Sequence, residues 1–410
     1  MNRRLLIFIL AALSMLGALS IDAYLPALLT IAHVFTVTPA AAQQTLTVYL
    51  IAFAFMTLFY GTLSDSFGRR PVLLLSMLLY VLSSIGAGLS SSLGMLILFR
   101  FLQGATAGSG SVIGRAMVGD LFSGAEAQRV MSYISVVFGL APAIAPILGG
   151  WLLASFGWRS IFGFIATFSG LLLLLCARTL RESLPVEKRH PFRFRPVLLN
   201  YLHVGSCRPF MLQGLSIAFT FWGIMMYIGS APAFVIQILH LRDTDYGWLF
   251  IPLIGGMTAG SWTAGWCSHR FQSSTLIGTG FAIMAVAAAV NLAYSLLVPA
   301  AIPWAIVAPM FYCFGMALAT PAMTVRALEI FPRHRGLAAS LQGFFFMALF
   351  AIGSGVVCPL LFGSAWKFAT GVVSGVIVSA FCWWAGTSTP PTHADEGFIE
   401  EERDLAKEMH

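Results

Sequence analysis

Charge is what this sequence is short of. Only 10% of its 410 residues are Asp, Glu, Lys or Arg, while 58% are hydrophobic. Soluble domains carry about 25% charged residues, so there are too few ionised groups here to cover a water-soluble surface. Disordered chains combine low hydrophobicity with high charge, and this composition is the reverse. The six cysteines (Cys176, Cys207, Cys267, Cys313, Cys358, Cys382) show no CxxC spacing. They read as reduced, small apolar side chains, with no disulfide framework and no metal site. Nucleotide and catalytic motifs are missing too: no GxxxxGK[ST], no HExxH, no Cys/His cluster, and eight scattered histidines. No cofactor is expected, and the chain does not read as an enzyme.

Long apolar runs are what it has instead. They fall at about 5–32, 45–63, 71–90, 94–118, 129–153, 160–178, 210–238, 247–266, 274–298, 301–325, 337–362 and 367–386. A bilayer-crossing helix takes roughly 20 apolar residues, and a β-barrel would show weak alternation instead. The expectation is an all-α membrane protein with twelve transmembrane helices. The opening Met1-Asn2-Arg3-Arg4 and the apolar stretch to Ser20 also have the form of a signal peptide. The apolar character continues to Ile31, so this run is read as a retained span.

The remaining charges sort by position. A net charge of +7 could suggest nucleic acid, but the basic residues sit in short loops between apolar runs, which argues against that partner. With helices alternating in direction, one side receives Arg3, Arg4, Arg69, Arg70, Arg129, Arg270, Arg333, Arg335 and a central group from Arg178 to Arg208. The other side has Arg159, Arg242 and Lys367 near helix ends. Both termini are therefore expected in the cytoplasm. The longest polar segment, 179–209, divides the helices six and six, and its Pro185, Pro191 and Pro196 discourage a continuous helix. The expected organisation is a six-helix bundle over 1–178, a cytoplasmic central loop over 179–209, a second bundle over 210–386, and an acidic tail over 387–410.

Of sixteen acids, only Asp22 lies well inside an apolar run. An ionisable group at membrane depth costs about 2.5–3.5 kcal/mol on insertion scales and is by default a functional candidate. Pro26, four residues later, removes the partner of the Asp22 carbonyl, so the helix should kink there. Arg100 in the fourth run lies at comparable depth, roughly 22 Å before Arg115 along the axis. It is the matching cation, able to pair directly with Asp22 or to bond backbone carbonyls. The loop Gly61-Thr62-Leu63-Ser64-Asp65-Ser66-Phe67-Gly68-Arg69-Arg70-Pro71 combines glycines for a tight reversal with charges that can form strong hydrogen bonds.

These residues carry a resemblance. The loop is similar to the signature between helices two and three of the major facilitator superfamily, matching at Gly61, Leu63, Asp65, Gly68, Arg69 and Arg70. Arg100-Phe101-Leu102-Gln103-Gly104 resembles its fourth-helix motif. Pro146-Ile147-Leu148-Gly149-Gly150 resembles its fifth-helix antiporter motif, with Ala141 and Ala145 replacing two leading glycines. The segments 22–27, 115–122, 158–162 and 230–234 resemble the bicyclomycin/chloramphenicol-resistance drug:proton antiporters (Bcr/CflA). The resemblance implies two six-helix bundles around a central cavity and alternating access. It implies Asp22 as the proton-coupling acid, working with Arg100. It also implies a conformational latch at Gly61, Asp65, Gly68, Arg69, Arg70, Arg115 and Asp120, and close packing at Pro142, Pro146, Gly149 and Gly150. Tyr24, Tyr49, Phe53, Trp222, Met226 and Tyr227 are the candidate pocket, because aromatics and methionine suit greasy, adaptable cargo.

The expected activity is proton-coupled efflux of small hydrophobic or amphipathic drugs, by a monomer in the bacterial inner membrane. Its partners are then the drug, the proton and the lipid bilayer. Export or uptake of an endogenous metabolite on the same fold is the alternative, and a non-transporting receptor or scaffold a third reading.

Overall fold

The computed structural model describes residues 3–189, 191–332 and 334–388. The acidic residues of the tail and Arg333 lie outside the described residues. The described residues are mostly helical, with no strand among them. We label α1 (Arg3–Val34), α2 (Pro39–Phe67), α3 (Arg69–Gly88), α4 (Leu93–Leu121) and α5 (Gly124–Phe156). They are followed by α6 (Arg159–Thr179), α7 (Arg208–Thr220 with Trp222–Gly229) and α8 (Gly247–Cys267). The last four are α9 (Ser273–Leu297), α10 (Trp304–Leu328), α11 (Arg335–Leu361) and α12 (Ala365–Ser388). Ten of these are long and apolar enough to cross a membrane singly, and α7 makes an eleventh crossing, bent by 44°. The twelfth helix, α8, has 21 residues. Its glycines at 255, 256, 260 and 265 dilute its apolar character.

Local sequence explains the boundaries. Polar Gln43 and Gln44 make the second apolar run start near 45, yet α2 starts at Pro39. The reason is a helix start signal: the Thr38 hydroxyl accepts from the Ala41 N–H at 3.2 Å, with proline in the first turn. The central loop also departs from expectation, since Phe194–Ser206 forms a 13-residue helix. Pro196 sits in its first turn, where a missing N–H costs nothing. Val204 of this helix packs with Phe210, Phe331, Ala338 and Leu341.

The helices form two six-helix bundles. In the first, α1 packs on α5, α2 on α4, and α3 on α4 and α6; in the second, α8 and α9 pack on α10, and α7 and α9 on α12. The bundles meet chiefly where α11 lies on α2 and α8 lies on α5. Leu75, Leu82, Val286, Ile377 and Phe381 face outward and are exposed, an arrangement suited to lipid and not to water. Exposed Trp248, Trp266, Trp304 and Trp366 stand near helix ends, where amphipathic rings favour the membrane interface. The Arg3–Glu126 ion pair, 3.0 Å, joins the starts of α1 and α5 on one face. That face, which also carries Arg69 and Arg70, is called the basic face below.

Small residues set the closest approaches. A Cβ on Gly104 would stand 2.2 Å from the Tyr49 carbonyl oxygen, so α4 touches α2 backbone to backbone. Gly104→Ala is expected to lower stability by about 1–3 kcal/mol, because backbone cannot yield as a side chain does. Gly278→Ala, on α9 where nothing lies within 4 Å, should hold or raise stability through better helix propensity. Thermal unfolding of the two variants in detergent checks the contrast.

Candidate functional site

The break in α1 creates the centre of the site. Regular α-helix ends at Asp22, a single 3-10 turn covers Leu25–Ala27, and α-helix resumes over Leu28–Val34. This is where Pro26 predicts a kink. Helix α5 closes over the break: a Cβ on Gly149 would lie 2.1 Å from the Ala23 carbonyl oxygen. Asp22 is 3% exposed. It lines a chamber of about 140 Å³ between the bundles, with Phe53, Phe138 and Pro142 on one side and Phe221, Ile224 and Met225 on the other. Among the described residues, no basic side-chain nitrogen lies within 4.0 Å of its carboxylate.

A direct Asp22–Arg100 pair is therefore not formed in this conformation. Arg100 is fully buried and finds other partners. Its Nη1 donates to the Gln103 side-chain oxygen at 2.6 Å and to the Ser20 carbonyl at 3.4 Å. The guanidinium carbon stands 4.4 Å from the Tyr24 ring centroid and 4.2 Å from that of Tyr49. Two π faces thus take the place of a counter-ion. Gln103 passes the chain on to Ser84, 2.8 Å, and Ser84 to the Tyr80 carbonyl, 2.7 Å. Tyr24 is held in turn by a 2.6 Å bond to Thr45, and the Ser20 and Tyr80 hydroxyls are in contact.

On the basic face, Arg69 reaches Asp65 at 2.6 Å, Asp120 at 3.2 Å and the Ser64 hydroxyl at 2.6 Å. Arg70 donates to the Ala177 carbonyl, 2.9 Å. Sequence reasoning missed Glu182, whose carboxylate accepts from the backbone N–H groups of Arg69 and Arg70 at 3.0 and 3.2 Å. It caps the start of α3, where unpaired N–H groups favour an anion. An acid shortly after the sixth run was the available signal, but its target is distant in sequence. Gly68 has φ +97°, and a Cβ there would meet Glu182 at 2.6 Å. All these ion-pair partners belong to the first bundle and the segment after α6. Arg115 stands apart from them: it is exposed on the wall of a second cavity, and Gly61 lines the same space.

That second cavity, about 650 Å³, lies between the bundles towards the basic face. Phe53, Ser111, Phe138, Phe346 and Met347 border both it and the Asp22 chamber. Among the six expected pocket residues, Phe53 is the one that lines these spaces. Tyr24 and Tyr49 are fully buried against Arg100. Trp222 donates to the Gly371 carbonyl at 3.1 Å, Met226 packs with Cys358, and Tyr227 accepts from Asn291 at 2.8 Å. The correction follows from helical spacing. Phe221, Ile224, Met225 and Ile228 form the i, i+3, i+4, i+7 stripe of α7 that faces the chamber. Trp222 and Met226 occupy the next stripe and face α11 and α12.

The face opposite the basic one is closed by hydrogen bonds between bundles. Gln43, 2% exposed, donates to the Gly229 carbonyl at 2.8 Å and to the Ser354 hydroxyl at 2.7 Å. Gln44 donates to the Gly355 carbonyl at 3.1 Å. Both reach the π-helical turn Gly353–Val357 of α11. Nearby, a Cβ on Gly150 would stand 2.1 Å from the Asp243 carbonyl oxygen.

Two bundles enclosing a chamber, closed at one face and hollow towards the other, define a polytopic membrane transporter. The Major Facilitator Superfamily profile matches residues 8–354. The chain belongs to the major facilitator superfamily. It is 29% identical over 382 residues to a bicyclomycin resistance protein homolog of Haemophilus influenzae, covering 93% of this chain and 96% of that one. It is 30% identical over 364 residues to an uncharacterized MFS-type transporter of Bacillus subtilis, covering 88% and 89%. Multidrug resistance protein D of Escherichia coli is 29% identical over 364 residues, covering 87% and 88%. These relatives agree with the bicyclomycin/chloramphenicol-resistance resemblance. Among solved structures, a D-xylose-proton symporter superposes with a TM-score of 0.73 at 18% identity, covering 93% of this chain and 98% of that one. That likeness concerns the fold.

The amide bonds of Gln43 make a checkable prediction about the closed face. Gln43→Ala removes two interbundle hydrogen bonds, each worth about 0.5–1.5 kcal/mol net. The expected result is a larger share of molecules with that face parted. Pulsed electron resonance between spin labels at exposed Leu89 and Leu297, at the ends of α3 and α9, reads it as a shift towards longer distances. An unchanged distribution would count against the clasp.

Proposed function

We propose that the protein is a proton-coupled exporter of small hydrophobic or amphipathic drugs. It would act as a monomer in the bacterial inner membrane, with both chain ends and the basic face in the cytoplasm. The observation that carries this reading is Asp22. It is a carboxylate at the break of a membrane helix, on the wall of a chamber between the bundles, with no basic group of the described residues within 4.0 Å. A carboxylate so placed trades its charge for a proton as the chamber opens to one side of the membrane or the other. Two relatives, a bicyclomycin resistance protein homolog and multidrug resistance protein D, support drugs as the cargo. The apolar stripe of α7 and the size of the larger cavity support it too, since drug-sized ligands occupy pockets of about 300–1,000 Å³.

In this reading cargo enters the larger cavity from the cytoplasm, and the Gln43 clasp keeps the periplasmic face shut. Reversing the two faces releases cargo outside, and proton binding at Asp22 resets the cycle. Arg100 couples α4 to α1 through the Ser20 carbonyl and the two tyrosine rings, so a shift at Asp22 is felt across four helices. Asp65, Arg69 and Asp120 act as the cytoplasmic latch, with Gly68 and Glu182 fixing the start of α3. Gly149, beside Pro142 and Pro146, keeps α5 against the α1 break, and Gly150 keeps it against the Asp243 backbone of the second bundle.

Drug susceptibility in an efflux-deficient bacterium tests the proposal. Expression of the unaltered chain is expected to raise resistance to at least one of a chloramphenicol-like, a macrolide-like, a cationic-dye and an anionic amphipathic compound. Asp22→Asn at equal expression should abolish that protection. Protection by Asp22→Asn equal to the unaltered chain would overturn the coupling role, and no protection by either would overturn the drug cargo.

A further inference from the structure

Among the described residues, the wall of the larger cavity has one charged side chain without an ion-pair partner. Four of the five hydroxyls there are already committed as donors: Thr57 to the Phe53 carbonyl at 2.8 Å, Ser111 to Gly108 at 3.1 Å, Thr62 to Phe59 at 3.0 Å, and Tyr201 to Leu58 at 2.7 Å; Ser340 is the fifth. Asp65, the acid on this wall, is taken by Arg69 at 2.6 Å. Arg115 differs. Its guanidinium makes no ion pair or hydrogen bond with the described residues, and it is exposed to the cavity. The surrounding wall is largely apolar, with Phe53, Val112, Phe138, Phe346 and Met347.

We infer that Arg115 is a specificity-determining residue that selects cargo carrying an anionic or strong acceptor group, such as a carboxylate or sulfonate, on an apolar body. This rests on the reading above that the cavity receives cargo, and it narrows the class. Arg presents five N–H donors in a planar fork that matches carboxylate and sulfonate oxygens. Asp65, already paired, offers no competing anion for it. The aromatic and aliphatic wall takes the rest of the molecule. A cationic cargo would face uncompensated like charge at the same point, so the site discriminates by repulsion as well as attraction.

The test is a binding measurement on the full chain in lipid nanodiscs without a pH gradient, so that proton coupling does not enter. The probes are 1-anilinonaphthalene-8-sulfonate and N-phenyl-1-naphthylamine, which share a fluorophore and differ in the sulfonate. Energy transfer from protein tryptophan reports saturable binding. Arg115→Gln is expected to weaken the sulfonate dye about tenfold while leaving the neutral amine within about twofold. Arg115→Lys, which keeps the charge, should retain most of the preference and shows that the fold tolerates change here. Equal effects on both dyes, no effect on either, or no saturable binding of the sulfonate dye to the unaltered chain would overturn the inference. The antiport reading would stand or fall separately, on Asp22→Asn in the susceptibility panel.

Discussion

A guanidinium buried between two tyrosine rings holds the first bundle together. Arg100 sits at membrane depth without a carboxylate beside it. Its charge is tolerable only because the faces of Tyr24 and Tyr49, the Gln103 amide and the Ser20 carbonyl surround it. Those partners come from α1, α2 and α4, and Ser84 brings in α3. Sheltering this cation, whose Nε and Nη2 make no hydrogen bond, therefore draws on four helices at once. The same four helices position the break at Asp22, and α5 can cover that break because Gly149 has no side chain to exclude the Ala23 carbonyl.

Around this rigid core the two faces are held by different chemistry. The basic face is knit within one bundle by charge: Arg69 with Asp65 and Asp120, and Glu182 on the start of α3. The opposite face is closed across the bundles by uncharged amides, Gln43 and Gln44, bonding to a π-helical turn of α11. Neutral hydrogen bonds are weaker than charge-assisted ones, so the interbundle seam can part while each bundle keeps its shape. A π-helical turn frees carbonyls from the regular ladder. That gives Gln44 the Gly355 carbonyl as an acceptor, while Gln43 uses the Ser354 hydroxyl and the Gly229 carbonyl of α7.

Much of the architecture was legible in one dimension because the bilayer leaves few options. Apolar runs of about 20 residues must become helices, and Pro26 sets the break in α1. The Gly61–Pro71 motif contains both Asp65 and Arg69, whose pairing over one helix turn is a local matter, whereas Asp120 reaches Arg69 from 51 residues away. Less local relations were hidden. Gln43 looked like a polar interruption before a span, and Glu182 like a loop acid, since the partners of each lie far along the chain. On α7 the aromatic and methionine cluster was visible, but the choice of facing stripe was not. Phe221 and Met225 face the chamber, while Trp222 and Met226 face α11 and α12.

Scarcity of charge, read by itself, determined that this chain crosses a membrane and that Asp22 and Arg100 are its two exceptional ions. Hydropathy and proline placement are properties of single segments, so the sequence alone suffices for them. Which partner each ion takes was decided by the tertiary structure. Helix rotation and interhelical distance set that outcome. They put the rings of Tyr24 and Tyr49 over Arg100, left Asp22 facing an apolar chamber, and turned Arg115 into the cavity without a counter-ion.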